Sequence, residues 1–429
     1  MVFRKYRAVK DFSKNNTRIF KDILRAKNAR NMPKFEVPEA LREKKIKIYD
    51  PNFESFVSTP NPILEQFKNT NLNSMNINKP DIKDHPLYKK KECLLFESEE
   101  PFSDGVDQAC NLTNAILRTE FPSIFHDALK KITIPKGFED EVKDCILGGE
   151  RFDPTLEKLP RRFDPVLFWI VHPRIHGTPV VKRGNIILAN ICRKFQILAL
   201  GNDEMKETRV DFDAPLSGML SLPGNFNNKP LVVRGCPHIT LQNVSPTKLW
   251  SSLEIVKGTK DEKVPELRAI EATLDLRKEN IYNEESIIVR SNFPLFINTI
   301  MYTMENSQKY PWTREQLGAN VIMNCFGAAL AQARRTTSQN MEIKTIDEIE
   351  KELQERPLVT KAIQLCDGKL DIAVFQLNSL LMNKKGIKNE VWLKSNLQLY
   401  KTKPYWENMD TVEELNMETV EDFCKLVLC

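Results

Sequence analysis

The stretch "VTKAIQLCDGKLDIAVFQLN", residues 359–378, decides the fold. Two runs of β-prone residues are separated by Asp367 and Gly368 alone. A two-residue hairpin turn of the favoured hand needs positive φ at both central positions, and Asp-Gly is among the pairs that supply it most readily. The segment therefore predicts an antiparallel hairpin. Upstream lies "PWTREQLGANVIMNCFGAALAQARR", residues 311–335. Thr313 followed by Gln316 is a capping box, in which each side chain satisfies a free N–H at the helix start. Leu317, Val321, Ile322, Cys325, Phe326, Ala329, Leu330 and Ala333 then recur at helical spacing. Gly327, Ala328, Ala329, Ala331 and Ala333 keep the helix narrow, so another backbone can approach closely. A helix followed by a hairpin predicts an α+β fold: an antiparallel sheet with packed helices.

Working toward the N-terminus, "DGVDQACNLTNAILRT" (104–119) places Val106, Ala109, Cys110, Leu112, Ile116 and Leu117 with helical recurrence, and Ser103 is its expected N-cap. "FPSIFHDALKKI" (121–132) reads as a second helical stretch. "DPVLFWIVHP" (164–173) and "KPLVVRG" (229–235) read as short buried strands bounded by Pro and Gly. Residues 201–265, rich in Pro, Gly and Asn, are expected to form loops and a meandering sheet. Residues 31–84 are polar and repeatedly broken by proline, so they read as an extended arm or linker. The expected organisation is a presequence or basic tail at 1–30, this arm at 31–84, an α+β region at 85–300 and a C-terminal α+β region at 301–429.

A chain of 429 residues is long enough to bury a sizeable core. No apolar run approaches the ~18 residues that a membrane-spanning helix needs. Nine cysteines are scattered singly without a CxxC pair, which points to reduced, mostly buried thiols. Net charge is +5, but residues 1–47 hold fifteen basic and five acidic side chains, so the remainder is mildly acidic. A basic, amphipathic N-terminus with Phe12, Ile19, Phe20, Ile23 and Leu24 near one face fits either a mitochondrial presequence or a retained basic tail.

Motifs for chemistry are sparse. No phosphate-binding glycine loop and no GxSxG elbow occurs. His172 and His176 have a four-residue spacing, but Pro173 between them opposes the helix that such a metal pair would need. The acidic runs "ESEE" (97–100) and "DEIEKELQE" (347–355) read as solvated faces. No catalytic, cofactor-binding or metal-binding residue is expected. Candidate RNA or partner contacts are Arg18, Lys21, Arg25, Lys44, Lys45, Lys89, Lys90, Lys91, Arg334 and Arg335. Lysines 89–91 adjoin Tyr88, a pattern that suits phosphates and a stacked base, or equally a guarded strand edge. Arg334 and Arg335 suit either the negative end of their own helix or a phosphate oxygen.

Several blocks together resemble one family, the mitochondrial large ribosomal subunit protein thirty-seven: "HPLYKKKECLLF" (85–96), "GVDQACNLT" (105–113), "FGAALAQAR" (326–334), "DGKLDIAVFQLN" (367–378) and "GIKNEVWLKSNLQLY" (386–400). A related family, the mitochondrial ribosomal protein once called programmed cell death protein nine, shares the C-terminal helix and hairpin. The resemblance implies an imported matrix protein that is a structural constituent of the large subunit. Its implied partners are large-subunit rRNA and neighbouring ribosomal proteins, including its paralogue, with no small-molecule substrate, cofactor or membrane span. Two other readings compete with it. One is an organellar RNA-modifying enzyme, with Asp371 and Cys366 as candidate groups, and the other is a free scaffold that binds through its basic arm.

Overall fold

Both signals that opened the sequence reading are realised in the computed structural model. It describes residues 21–27, 38–44, 90–130, 132, 134–151, 157–162, 164, 166–200, 207–221, 229–267, 281–283, 295–306, 310–335, 345–382, 385–404, 407 and 409–429. The chain divides into two units, 1–86 and 87–429. In the first, residues 21–27 and Glu39–Glu43 are helical.

In the second unit, strands β12 (Leu358–Cys366) and β13 (Lys369–Leu377) form the hairpin. Its turn has φ 50° at Asp367 and 71° at Gly368, the two positive values that the sequence requires. They sit at the centre of a seven-stranded sheet that also contains β3 (Ala115–Arg118), β6 (Arg209–Phe212), β9 (Ile239–Asn243), β11 (Phe296–Thr303) and β14 (Asn389–Gln398). The strand order is β3-β14-β13-β12-β11-β9-β6. The sheet is mixed. Four pairings are antiparallel, but β11 runs parallel to β12 and β3 runs parallel to β14. Parallel neighbours require a crossover, and the long helix between β11 and β12 lies in that connection. Residue 300 falls inside β11, so one sheet joins segments on both sides of it.

That helix, Arg314–Arg335, is buried at every position from Leu317 to Ala333. A helix buried all round must be covered on more than one face. One cover is the seven-stranded sheet. The other is a three-stranded sheet of β2 (Leu94–Phe96), β7 (Leu216–Leu220) and β8 (Leu231–Gly235). The small residues read from the sequence make this sandwich possible. A Cβ on Gly327 would lie 2.4 Å from Val233 Cγ1, and one on Gly218 of β7 would lie 2.5 Å from the Gly327 carbonyl oxygen. Thr313 and Gln316 exchange the two capping-box hydrogen bonds, at 2.8 and 3.3 Å.

The central strands separate two cores with period two. Ala362, Ala373, Phe375 and Leu377 face the long helix. Ile363, Leu370, Ile372 and Val374 face the opposite layer. The helices Ser123–Asp127, Phe138–Glu150, Val180–Leu198 and Met417–Leu428 contribute buried side chains to that second core.

Several local expectations need correction. The helix after Ser103 runs only over Gly105–Leu112, with Asp104 at the N-cap position, and the Ser103 hydroxyl donates to Gln108 instead. Ile116 and Leu117 belong to β3, because Asn114 at φ 48° turns the chain out of the helix and into register with β14. Segment 166–171 is not a buried strand. Asp164 Oδ1 accepts from the N–H groups of Val166 and Leu167, which removes both donors from any ladder, and the side chains are exposed. The 201–265 region supplies strands to two different sheets rather than one meander: β6 pairs with β9, and β7 with β8. Glu350, read as part of a solvated face, is buried and accepts from Ser379 Oγ and the Leu380 N–H. Residues 90–92 form β1 (Lys90–Glu92), paired with β10 (Ile281–Asn283), and β4 (Glu157–Lys158) pairs with β5 (His176–Gly177).

Candidate nucleic-acid interface

Gln332 and the two arginines close the long helix, which ends against an edge of the seven-stranded sheet. The β-bulge between Ile297 and Thr299 interrupts the ladder, and the Ile297 N–H donates to Gln332 Oε1 at 2.8 Å. This bond pins the last turn of the helix to β11. Two residues beyond the helix's buried run, Arg335 Nη1 donates to Gln242 Oε1 on β9 at 3.1 Å. Gln242 Nε2 in turn donates to Asp211 Oδ2 at 2.6 Å, and Arg209 Nε donates to Asp211 Oδ1 at 2.7 Å. Arg209 and Asp211 lie two apart on β6, so they share one face of the terminal strand.

The result is a fixed row, Arg335–Gln242–Asp211–Arg209, and Arg334 precedes Arg335 in the last turn of the helix. Two guanidinium groups, those of Arg335 and Arg209, are thus held about one carboxylate. Half-burial depresses the Arg335 pKa, and nearby Arg209 adds to the effect while Asp211 opposes it. An anion placed here would relieve that repulsion, and a guanidinium fork matches phosphate oxygens. The same geometry shows that Arg335 also has an internal role, tying the helix exit to the sheet.

The other expected contact residues are distributed elsewhere. Lys21 and Arg25 are exposed on the 21–27 helix, where Arg25 lies 3.8 Å from Asp22, and Lys44 is exposed in the turn that follows Glu39–Glu43. Lys90 and Lys91 are on β1, in a sheet separate from the helix exit. Arg18, Lys45 and Lys89 lie outside the described residues. The structure thus brings Arg335 to Arg209 by way of Gln242 and Asp211, and Arg209 is a residue that sequence reading did not single out. The alternation in "RVDF" (209–212) was the available sign, but nothing in it reveals an edge position.

The groups considered for catalysis are committed to internal bonds. Asp371 Oδ1 accepts from the Asn396 N–H at 2.9 Å and Oδ2 from Gln364 Nε2 at 3.1 Å. Gln364 Oε1 accepts from Tyr302 Oη and Asn320 Nδ2, and Asn324 Nδ2 reaches Tyr302 Oη and Ser98 Oγ. This polar row joins the long helix to the seven-stranded sheet and, at Ser98, to the segment that follows β2. Burial, reinforced by Asp367 and Asp371, pushes the Cys366 thiol up to about 12, so it carries almost no thiolate at neutral pH.

Burial likewise pushes Cys110, Cys192, Cys325 and Cys424 to about 12. Cys236, by contrast, is exposed. A thiol reagent at pH 8 is therefore expected to label Cys236 first and those four only on unfolding. Mass spectrometry of the native protein checks this, and early labelling of Cys325 would contradict the packing described.

With this geometry in view, the comparisons with known proteins can be stated. No protein-family model matches the chain. It is 26% identical over 331 residues to the large ribosomal subunit protein mL37 of Gallus gallus, covering 75% of this chain and 69% of that protein. The protein of the same name from Bos taurus is 25% identical over 334 residues, with the same shares covered. The one from Rattus norvegicus is 25% identical over 329 residues, covering 74% of this chain and 69% of its own. In agreement with the family resemblance carried by the sequence blocks, the chain is similar along about three quarters of its length to large ribosomal subunit protein mL37 of three vertebrates.

Proposed function

We propose that this protein is a structural constituent of the large ribosomal subunit of mitochondria, residing in the matrix within the ribosome. The observation that carries the proposal is the homology to mL37 in three vertebrates over about three quarters of the chain. The internal chemistry is consistent with it. Asp371 and Glu350 are spent on cross-linking layers, and Cys366 is held as a thiol. Such a protein acts by filling space and bridging neighbours, with no bond made or broken.

The finer reading is that Arg209 and Arg334 at the sheet edge contact rRNA phosphates. Lys21, Arg25 and Lys44 of the N-terminal unit add sequence-independent attraction, along with Arg18, Lys45 and lysines 89–91. Neighbouring ribosomal proteins, a paralogue among them, cover other surfaces. Phosphate contacts release counterions, so binding should weaken steeply with salt.

The test is a gradient profile of mitochondrial lysate, with the chain depleted and then restored. The protein should travel with the large subunit, and depletion should reduce that subunit. A pool confined to light fractions, with large subunits intact after depletion, would refute the proposal. The arginines can be separated in the same assay. Arg209→Ala with Arg334→Ala should lower the protein's affinity for large-subunit rRNA about a hundredfold, the loss of two charge-assisted hydrogen bonds, with stability lowered by no more than about 1 kcal/mol because the Arg209–Asp211 pair lies at the surface. Arg335→Ala should instead lower stability by about 1 kcal/mol, because it removes the bond to Gln242. Normal rRNA binding by the double variant would remove the edge arginines from the interface.

A further inference from the structure

The segment 166–171, "VLFWIV", is the largest departure of the structure from its sequence reading. Val166, Phe168, Trp169 and Val171 are 75%, 69%, 63% and 69% exposed, and Leu167 and Ile170 are exposed as well. Scattered surface apolar residues are ordinary, but six in succession form a contiguous patch, and such patches mark interaction surfaces. The display is built. Asp164 Oδ1 holds the N–H groups of Val166 and Leu167, both at 2.9 Å, and the Ile170 N–H closes a turn onto the Leu167 carbonyl at 2.9 Å. The Phe168 and Trp169 rings pack edge to face, 5.0 Å apart. A patch ordered in advance loses less entropy on binding.

Charge narrows the partner. Arg161 and Arg162 before the turn and Arg174 after it are all exposed, so the apolar patch is flanked by cations. Trp and Arg are the residues that most often dominate the energetics of a protein–protein contact. Four of the six patch residues are aliphatic and offer no ring for a base to stack on, which favours a protein over a single-stranded RNA.

We propose that the 166–171 turn is a docking knob for a second, different protein, one that offers an apolar groove edged by carboxylates. Phe168 and Trp169 enter the groove, and Arg161, Arg162 and Arg174 meet its acidic rim. A second copy of this chain does carry a cavity of about 630 Å³ lined by Phe296, Ile349, Leu353 and Leu358 together with Glu352 and Glu355. Knob-into-cavity contact between copies would be head-to-tail, however, which closes into a ring or runs on into a filament, and neither suits a single constituent of a larger particle. The partner is therefore a different polypeptide. Within the function proposed above, on which its place in the particle rests, that polypeptide is a neighbouring large-subunit protein.

The experiment places a photo-crosslinking amino acid at Val171 of the full chain, expressed in cells depleted of the natural protein. After irradiation, adducts are isolated and digested with nuclease or protease. The proposal expects a nuclease-resistant adduct with one other protein, at a peptide containing carboxylates among apolar residues. Its yield should fall at least tenfold with Phe168→Ser plus Trp169→Ser, and several-fold with Arg161→Glu plus Arg162→Glu, at unchanged Tm. An RNA adduct, a lipid adduct, a dimer of this chain, or no adduct overturns it. Gradient position separates the two claims. The protein adduct on a chain outside the large subunit keeps the knob and removes the ribosomal reading. A chain in the subunit whose turn crosslinks only to RNA does the reverse.

Discussion

Replacing Gly327 with leucine is expected to destabilise the protein by about 3 kcal/mol or more, at the upper end of overpacking costs. The reason lies in the position of the long helix between two sheets. A Cβ at this position would stand 2.4 Å from Val233 Cγ1 and 3.0 Å from Val233 Cβ. The helix cannot retreat, because its other face carries Phe326 against Phe375, with ring centroids 5.2 Å apart. The three-stranded sheet would have to lift away, exposing Leu216, Leu220, Leu231 and Val233 of the first core. Gly148 supplies the contrast: it lies inside Phe138–Glu150, and a Cβ there meets nothing within 4 Å. Gly148→Ala should therefore stabilise by about 0.5–1 kcal/mol through helix propensity alone. Urea titration of both variants is the check. A Gly327→Leu protein as stable as the original would mean that the three-stranded sheet does not pack on this helix.

The second large effect concerns the other face of the central sheet. Glu150, at the end of Phe138–Glu150, is nearly buried. It accepts from Arg183 Nη1 at 3.2 Å and from Tyr400 Oη at 2.6 Å, while Arg183 Nε donates to the Thr178 carbonyl at 2.9 Å. Arg183→Met leaves a buried carboxylate with its countercharge gone, and a loss of about 3–5 kcal/mol is expected. Removing both members, with Arg183→Met plus Glu150→Leu, should recover much of that loss, because a buried ion pair is worth little against apolar replacements of similar size. A double-mutant cycle in denaturant measures the coupling. Equal losses in the single and double variants would show that Arg183 acts through its packing and not through its charge.

The legible parts of the fold were those set by neighbours in sequence. Asp367-Gly368 dictates its own turn, Thr313 and Gln316 cap their own helix, and the small residues of 327–333 announce close packing. What sequence pattern could not convey was set by distant pairing. The parallel register of β11 on β12, and the edge position of β6, depend on strands far apart in the chain. Segment 166–171 misled because a short apolar run between prolines looks the same in a buried strand as in an exposed turn. The distinction came from one carboxylate, Asp164, that captures the backbone donors. The candidate interface was half legible. The arginine pair is visible at the helix exit, but Arg209 and Gln242 join it only through the fold, and the same fold gives Arg335 a structural duty.

The central claim is that this chain works as a fixed part of the mitochondrial large subunit. The most direct measurement is its copy number in purified subunits, by quantitative mass spectrometry against other large-subunit proteins. The account predicts about one copy per subunit, retained through washes that strip loosely bound factors. Occupancy far below one, falling further with each wash, would contradict it.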